Sequence, residues 1–188
     1  MISESLERDR LRLLELLKQL SFEKRTVTLT SGKESDFYID CKRTALTAEG
    51  HFLIGRLLFA EIRQHAPEVR AVGGPTLGAD PLVSAVSLTS YLAGLPLAAF
   101  IVRKEPKGHG TEQWIEGAHT LEPGSRVAIV EDVVTSGGST LKAIQRAELH
   151  GLKVSQAFAL VDRLEGGRGA LEAKGYRLVA LYTRNDFL

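Results

Sequence analysis

Cysteine, tryptophan and methionine are scarce in this sequence, with one of each among 188 residues, and neither sign of charge is in marked excess. A lone Cys41 cannot close an intramolecular disulfide. Without matching Cys/His spacing it also excludes the common structural zinc frameworks, so a reducing, cytoplasmic setting is expected. Lys and Arg number 24 against 23 Asp and Glu, a formal net charge of +1. That balance excludes the basic surplus of a nucleic-acid or membrane-surface binder, so any basic site must be local. Long apolar runs are missing as well: no stretch approaches the roughly 20 residues that cross a bilayer. The first seven residues include acidic ones, whereas a secretory leader starts basic and continues into about 7–15 apolar residues. The expectation is a soluble protein with neither nucleic acid nor membrane as partner.

What is present is enough apolar residue, 44% of the chain, for one domain with a substantial core. Leu6, Leu13, Leu16, Leu17 and Leu20 recur at helical spacing and predict an amphipathic opening helix over 5–20. From Thr26 to Asp40 β-branched and aromatic residues flank Ser31-Gly32-Lys33, predicting two short strands joined by a turn. Thr47 reads as the N-cap of a helix that continues to His65. Apolar runs then alternate with helical ones: strands at 70–73, 97–102, 126–130, 154–161 and 177–182, helices at 79–93 and 139–150. The strands are apolar without alternation, as strands covered on both faces are, so the fold class is α/β with a mostly parallel sheet flanked by helices. The polar stretch from Arg103 to Glu122 shows neither period and is expected to be a functional loop.

Residues 127–140 carry the most chemistry. An apolar strand ends in Glu131 and Asp132 and runs on through Val133-Val134-Thr135-Ser136-Gly137-Gly138-Ser139 into a helix. Gly137 and Gly138 let main-chain N–H groups approach an anion, Thr135, Ser136 and Ser139 add hydroxyl donors, and the helix start adds unpaired N–H groups and its positive dipole end. Carboxylates repel phosphate but accept hydrogen bonds from ribose hydroxyls, so the pair of acids indicates a sugar phosphate. An ordinary strand-turn-helix with a Ser/Thr cap is the plainer reading of Gly-Gly-Ser-Thr alone. There is no Gly-x-x-x-x-Gly-Lys-[Ser/Thr] and no Gly-x-Gly-x-x-Gly after a strand, which disfavours a nucleotide triphosphatase or a dinucleotide-dependent dehydrogenase.

A second cluster, Arg103-Lys104-Glu105-Pro106-Lys107-Gly108-His109-Gly110, gathers three cations and a histidine at a strand end. Singly these are ordinary surface residues. Together they could neutralise charge that builds on a departing diphosphate, and closure of such a loop would exclude water.

The 127–140 stretch resembles the binding motif of the type I phosphoribosyltransferases for 5-phosphoribosyl 1-diphosphate (PRPP). That resemblance implies that Glu131 and Asp132 hold the ribose 2′- and 3′-hydroxyls and that residues 135–139 hold the 5′-phosphate, with Val133 and Val134 in the same segment. The basic cluster is similar to the catalytic loop Arg-Lys-x-x-Lys-x-His-Gly of orotate phosphoribosyltransferases. This implies that Arg103, Lys104, Lys107 and His109 contact the diphosphate, that Lys104 and Asp132 are catalytic, and that Lys104 crosses to the neighbouring site of a homodimer. Asp162-Arg163-Leu164-Glu165-Gly166-Gly167 resembles the family's orotate-binding turn, with Arg163 on the base and Thr135 beside it. Residues 29–40 resemble its amino-terminal hood, with Tyr38 facing orotate.

The resemblance further implies Mg²⁺ carried by PRPP, no metal held by the protein alone, a hood over about residues 1–45, a core over about 46–188 and a mobile loop over about 103–122. Thr30 and Gly78 stand where many relatives have lysine, so the diphosphate pocket is expected to lean on the loop. Two alternatives stay open: a relative acting on a purine or uracil, and a PRPP-sensing regulator without catalysis.

Overall fold

The computed structural model describes residues 4–24, 27–28, 34–35, 37–106 and 114–188. Its first helix, α1 (Glu4–Leu16), widens into a π-helical turn at Leu17–Ser21. The short strands β1 (Phe22–Glu23), β2 (Val27–Thr28), β3 (Glu34–Ser35) and β4 (Tyr38–Ile39) follow. They form two antiparallel ribbons, β1 with β4 and β2 with β3, so the expected single hairpin is nested inside a second pair. Next come α2 (Lys42–Ala45) and α3 (Ala48–His65). As expected, Thr47 caps α3, its hydroxyl accepting from the Gly50 N–H at 3.0 Å.

The remaining elements are β5 (Ala71–Pro75), α4 (Asp80–Leu92), β6 (Ala98–Val102), β7 (Ile115–Glu116), β8 (Arg126–Val134), α5 (Gly138–Leu149), β9 (Lys153–Asp162), α6 (Gly167–Glu172) and β10 (Leu178–Thr183). The six-stranded sheet has the order β10-β9-β8-β5-β6-β7, parallel throughout except for β7 at the edge. The stretch expected to be irregular from 103 to 122 therefore contributes a strand, and a 3₁₀ turn at Ala118–Thr120, to the sheet's margin. Ile115 is buried there, which stabilises a pairing too short to leave a periodic signal.

Alternation along β8 builds both layers of the core. Ala128 and Val130 join the cluster of α1, α3 and α4, whereas Val127 and Ile129 join that of α5 and α6. Phe158 and Leu160 of β9 go to the first cluster, Ala157 and Ala159 to the second.

Strand order reverses between β5 and β8, because β6 continues to one side and β9 to the other. At such a point the connections leaving the carboxyl ends diverge and open a crevice. The segments bordering it are the Pro75–Asp80 connection and the Thr135–Gly137 turn.

Candidate active site

The strand carrying the two acids is longer than expected: it continues past Val130 to Val134, because β9 goes on pairing with it through Val134↔Asp162. Glu131 and Asp132 therefore lie within the strand and take opposite faces. Glu131 turns toward α5, where its Oε2 accepts from Ser139 Oγ at 3.1 Å and Thr140 Oγ1 at 2.9 Å. It is 5% exposed. Burial, and then the charge of Asp132, push its pKa up to about 8 against the pull of the two hydroxyls.

Asp132 turns toward the other layer, and its Oδ1 accepts from the Val133 N–H at 2.9 Å. Burial raises its pKa too, opposed by that N–H and by Lys42. The Lys42 ammonium is itself paired with Asp40 at 2.6 Å. Sequence reasoning missed Lys42; its position just after the hood's Asp40 is the signal available. A Cβ on Gly78 would lie 2.3 Å from Asp132 Oδ2, so the carboxylate fills the space a side chain would need there.

The turn after β8 is held by a second turn. Gly137 has φ +81°, and a Cβ on it would come 3.0 Å from the Gly167 carbonyl oxygen. The Gly167 N–H donates to the Thr135 carbonyl at 2.8 Å, and a Cβ on Gly167 would sit 2.5 Å from that oxygen. Gly137 is buried while Ser136, Gly138 and Ser139 are exposed and Thr135 is half-buried, so the turn opens to solvent, with the Ser139 hydroxyl turned inward onto Glu131. No side chain of the N-cap residue Gly137 caps α5, which leaves first-turn N–H groups aimed at the crevice.

Arg163 lies in the connection that leads to Gly167. Its N–H donates to the Val134 carbonyl at 2.9 Å, its Nη2 to Glu165 Oε1 at 2.7 Å, and it is 7% exposed. Asp162, fully buried, shapes this turn by accepting from the Leu164 N–H at 2.9 Å and from Arg168 Nη2 at 3.1 Å. The Arg163 guanidinium overlies the buried Phe37 ring at 5.5 Å. Tyr38, the hood aromatic expected at the base, is one residue on and half-buried.

Arg103 and Lys104 follow β6, two strands from β8 at the same end of the sheet. Arg103 Nη1 pairs with Glu116 at 3.1 Å, and Lys104 is exposed. Lys107 and His109 lie outside the described residues, as does Thr30. The structure thus brings Glu131, Asp132, residues 133–139 and Arg163 to one crevice, with Arg103 and Lys104 at its far rim.

A scan against models of protein families returned no match. The chain is similar to the orotate phosphoribosyltransferase of Sorangium cellulosum, with 54% identity over 180 residues, 96% of this chain and 93% of the relative. Identity to that of Thermosynechococcus vestitus is 48% over 185 residues, 98% of this chain and 96% of the relative.

The chain belongs to the orotate phosphoribosyltransferases.

A solved orotate phosphoribosyltransferase of Mycobacterium tuberculosis, in complex with PRPP, matches the fold with a TM-score of 0.77 at 37% identity, covering 95% of this chain and 98% of that one. As an orotate phosphoribosyltransferase the protein is an enzyme, which sets aside the regulator without catalysis and the purine- or uracil-specific relative.

Proposed function

We infer that the crevice between β5 and β8 is where the phosphoribosyl group passes from PRPP to orotate, giving orotidine 5′-monophosphate and diphosphate in pyrimidine biosynthesis. The observation that carries this assignment of residues is the interlock of the Thr135–Gly137 and Gly166–Gly167 turns. It ties the turn proposed as the anion cradle to the turn that begins at Arg163. Residues 135–139 grip the 5′-phosphate through main-chain N–H groups and hydroxyls, with Val133 and Val134 providing the strand end beneath the sugar. Glu131 and Asp132 accept from the ribose hydroxyls. Arg163, with Thr135 beside it and Tyr38 from the hood, meets the orotate carboxylate and ring, for which a planar donor fork is suited. Orotate N1 attacks C1′ as the bond to diphosphate breaks, and Arg103, Lys104, Lys107 and His109 neutralise the leaving group.

Asp40 is paired with Lys42, so of the carboxylates at this edge of the crevice Asp132 is the hard oxygen that would lie near a Mg²⁺ carried by PRPP. Bound through PRPP oxygens, the ion would offset diphosphate charge. The chain works as one domain, hood over about 1–45 and core over about 46–188, in a homodimer that shares its active sites. Exposed Leu46, Phe52, Leu88 and Leu92 border an apolar groove of about 790 Å³ between α3 and α4, which supports association of two copies. No helix among the described residues is long and apolar enough to cross a membrane. The lone Cys41, buried, supports a cytoplasmic setting.

The direct test mixes protein, Mg²⁺, PRPP and orotate and follows loss of orotate absorbance. Absence of turnover with PRPP still bound would refute the assignment. A pH dependence follows as well. Ribose hydroxyls donate more strongly to ionised Glu131 than to its acid form, and in the free protein burial pushes the pKa of that group up to about 8. Binding that favours the ionised form draws off this proton at lower pH, so PRPP affinity should fall as pH drops from 8 to 6, by at most about tenfold per unit. Glu131→Gln should flatten that slope, and an unchanged slope would remove Glu131 from the ribose site.

A further inference from the structure

The segment bearing the basic cluster leaves the sheet after β6 and returns at β7, and both ends of its stem are described. The β6–β7 ladder pairs Val102 with Ile115 and Ile101 with Glu116. One further rung, the Arg103 N–H donating to the Trp114 carbonyl at 2.9 Å, extends it outward. The Arg103 side chain turns back on the stem, with Nη1 on Glu116 at 3.1 Å and Nε on the Glu105 carbonyl at 3.1 Å.

A residue from another element joins the two ends. Arg146 of α5 donates from Nη1 to the Arg103 carbonyl at 2.5 Å and from Nη2 to the Lys104 carbonyl at 3.3 Å. Its guanidinium also lies 3.9 Å from the centroid of the Trp114 ring. One planar group thus grips the outgoing strand by two carbonyls and the returning strand by an aromatic face. Arg146 stands seven residues after Ser139, about two helical turns and roughly 10 Å down the axis. Helical side chains lean toward the helix amino terminus, so Arg146 reaches back toward the rim of the crevice. The helix whose first turn supplies Ser139 to the phosphate cradle therefore also holds the stem of the cationic segment.

We propose that Arg146 is a positioning residue for Lys104. It fixes the direction in which the backbone, and with it the Lys104 ammonium, leaves the stem. The inference rests on the reading of Lys104 as a cation that acts on the departing diphosphate. Arg146 touches no reacting atom in this scheme, so its effect belongs in turnover and not in ground-state binding.

The test is a double-mutant cycle on the whole protein with Mg²⁺, PRPP and orotate. Arg146→Ala should lower kcat about tenfold with KM for both substrates within about twofold, the signature of an interaction expressed in the transition state. In a Lys104→Ala background the same change should cost almost nothing more, because the two act as one unit. Arg146→Lys, which keeps the charge but loses the fork and the flat stacking surface, should stay close to the Ala variant. Trp114 is the chain's only tryptophan, so its emission should shift in Arg146→Ala without any ligand.

Should Arg146→Ala be too unstable to assay, Trp114→Leu removes the stacked partner and should reproduce the kcat loss in part. If Lys104→Ala is crippled while Arg146→Ala and Trp114→Leu turn over normally, the positioning role is wrong and the reading of Lys104 stands. If Lys104→Ala turns over normally, it is that reading which fails. Losses that multiply in the double variant would make the two residues independent and overturn the inference.

Discussion

Replacing Lys104 with alanine is expected to lower kcat by about two to three orders of magnitude while KM for PRPP changes by no more than a few-fold. Lys104 is exposed on the stem at the far rim of the crevice, away from the elements that grip the sugar phosphate. In the proposed assignment PRPP is held mainly by the cradle after β8 and by the two acids, which the substitution leaves intact. Charge on the diphosphate grows only as the glycosidic bond breaks, and a cation that meets it at that stage stabilises the transition state more than the bound substrate. Steady-state kinetics with each substrate varied would separate the two effects. A loss confined to KM would place Lys104 in ground-state binding, and no loss would take the segment out of the mechanism.

Arg163→Ala should reduce kcat/KM for orotate by about a hundredfold, with the affinity for PRPP nearly preserved. Hydrogen bonds to charged groups contribute about 1.5–3 kcal/mol each, and the loss of a fork on a carboxylate reaches the upper part of that range. The main chain of Arg163 is anchored independently, its N–H on the Val134 carbonyl, and Asp162 holds the turn through Leu164 and Arg168. Truncating the side chain therefore leaves the backbone of the neighbouring cradle in place. Arg163→Lys should recover little, since an ammonium is a point charge without the planar fork. Isothermal titration of PRPP beside orotate kinetics would check this. A parallel loss of PRPP affinity would mean that the residue supports the turn and does not read the base.

Both expectations draw on residues that were legible in the sequence, and the reasons are physical. Strands covered on both faces leave dense apolar runs, so β5, β6, β8, β9 and β10 could be found, and Thr47 marked the start of α3 by its capping chemistry. The end of β8 was misplaced because adjacent acids read as a strand terminus. In fact each goes to a different layer, where hydroxyls or an N–H accept the burden of burial, and β9 keeps pairing beside them. β7 is two residues long and α6 begins in Gly-Gly-Arg-Gly, so neither leaves a period to detect. Among the proposed site residues, Glu131, Asp132, residues 135–139 and Arg163 stand on short contiguous motifs. Lys42, Phe37 and Arg146 come to their places through tertiary contacts between distant segments, which one-dimensional spacing does not encode.

The clasp between residues 135–137 and residue 167 is made of backbone, and it leaves too little room for even a methyl group at position 167. In the proposed site the floor under the nucleobase and the seat of the sugar phosphate are consequently one plate. If the plate shifts during a catalytic cycle, both substrates travel together and the gap between the atoms to be joined is preserved. Because this registration owes nothing to the side chain at 163, an evolving lineage could exchange that side chain for one suited to another base without loosening its hold on the sugar.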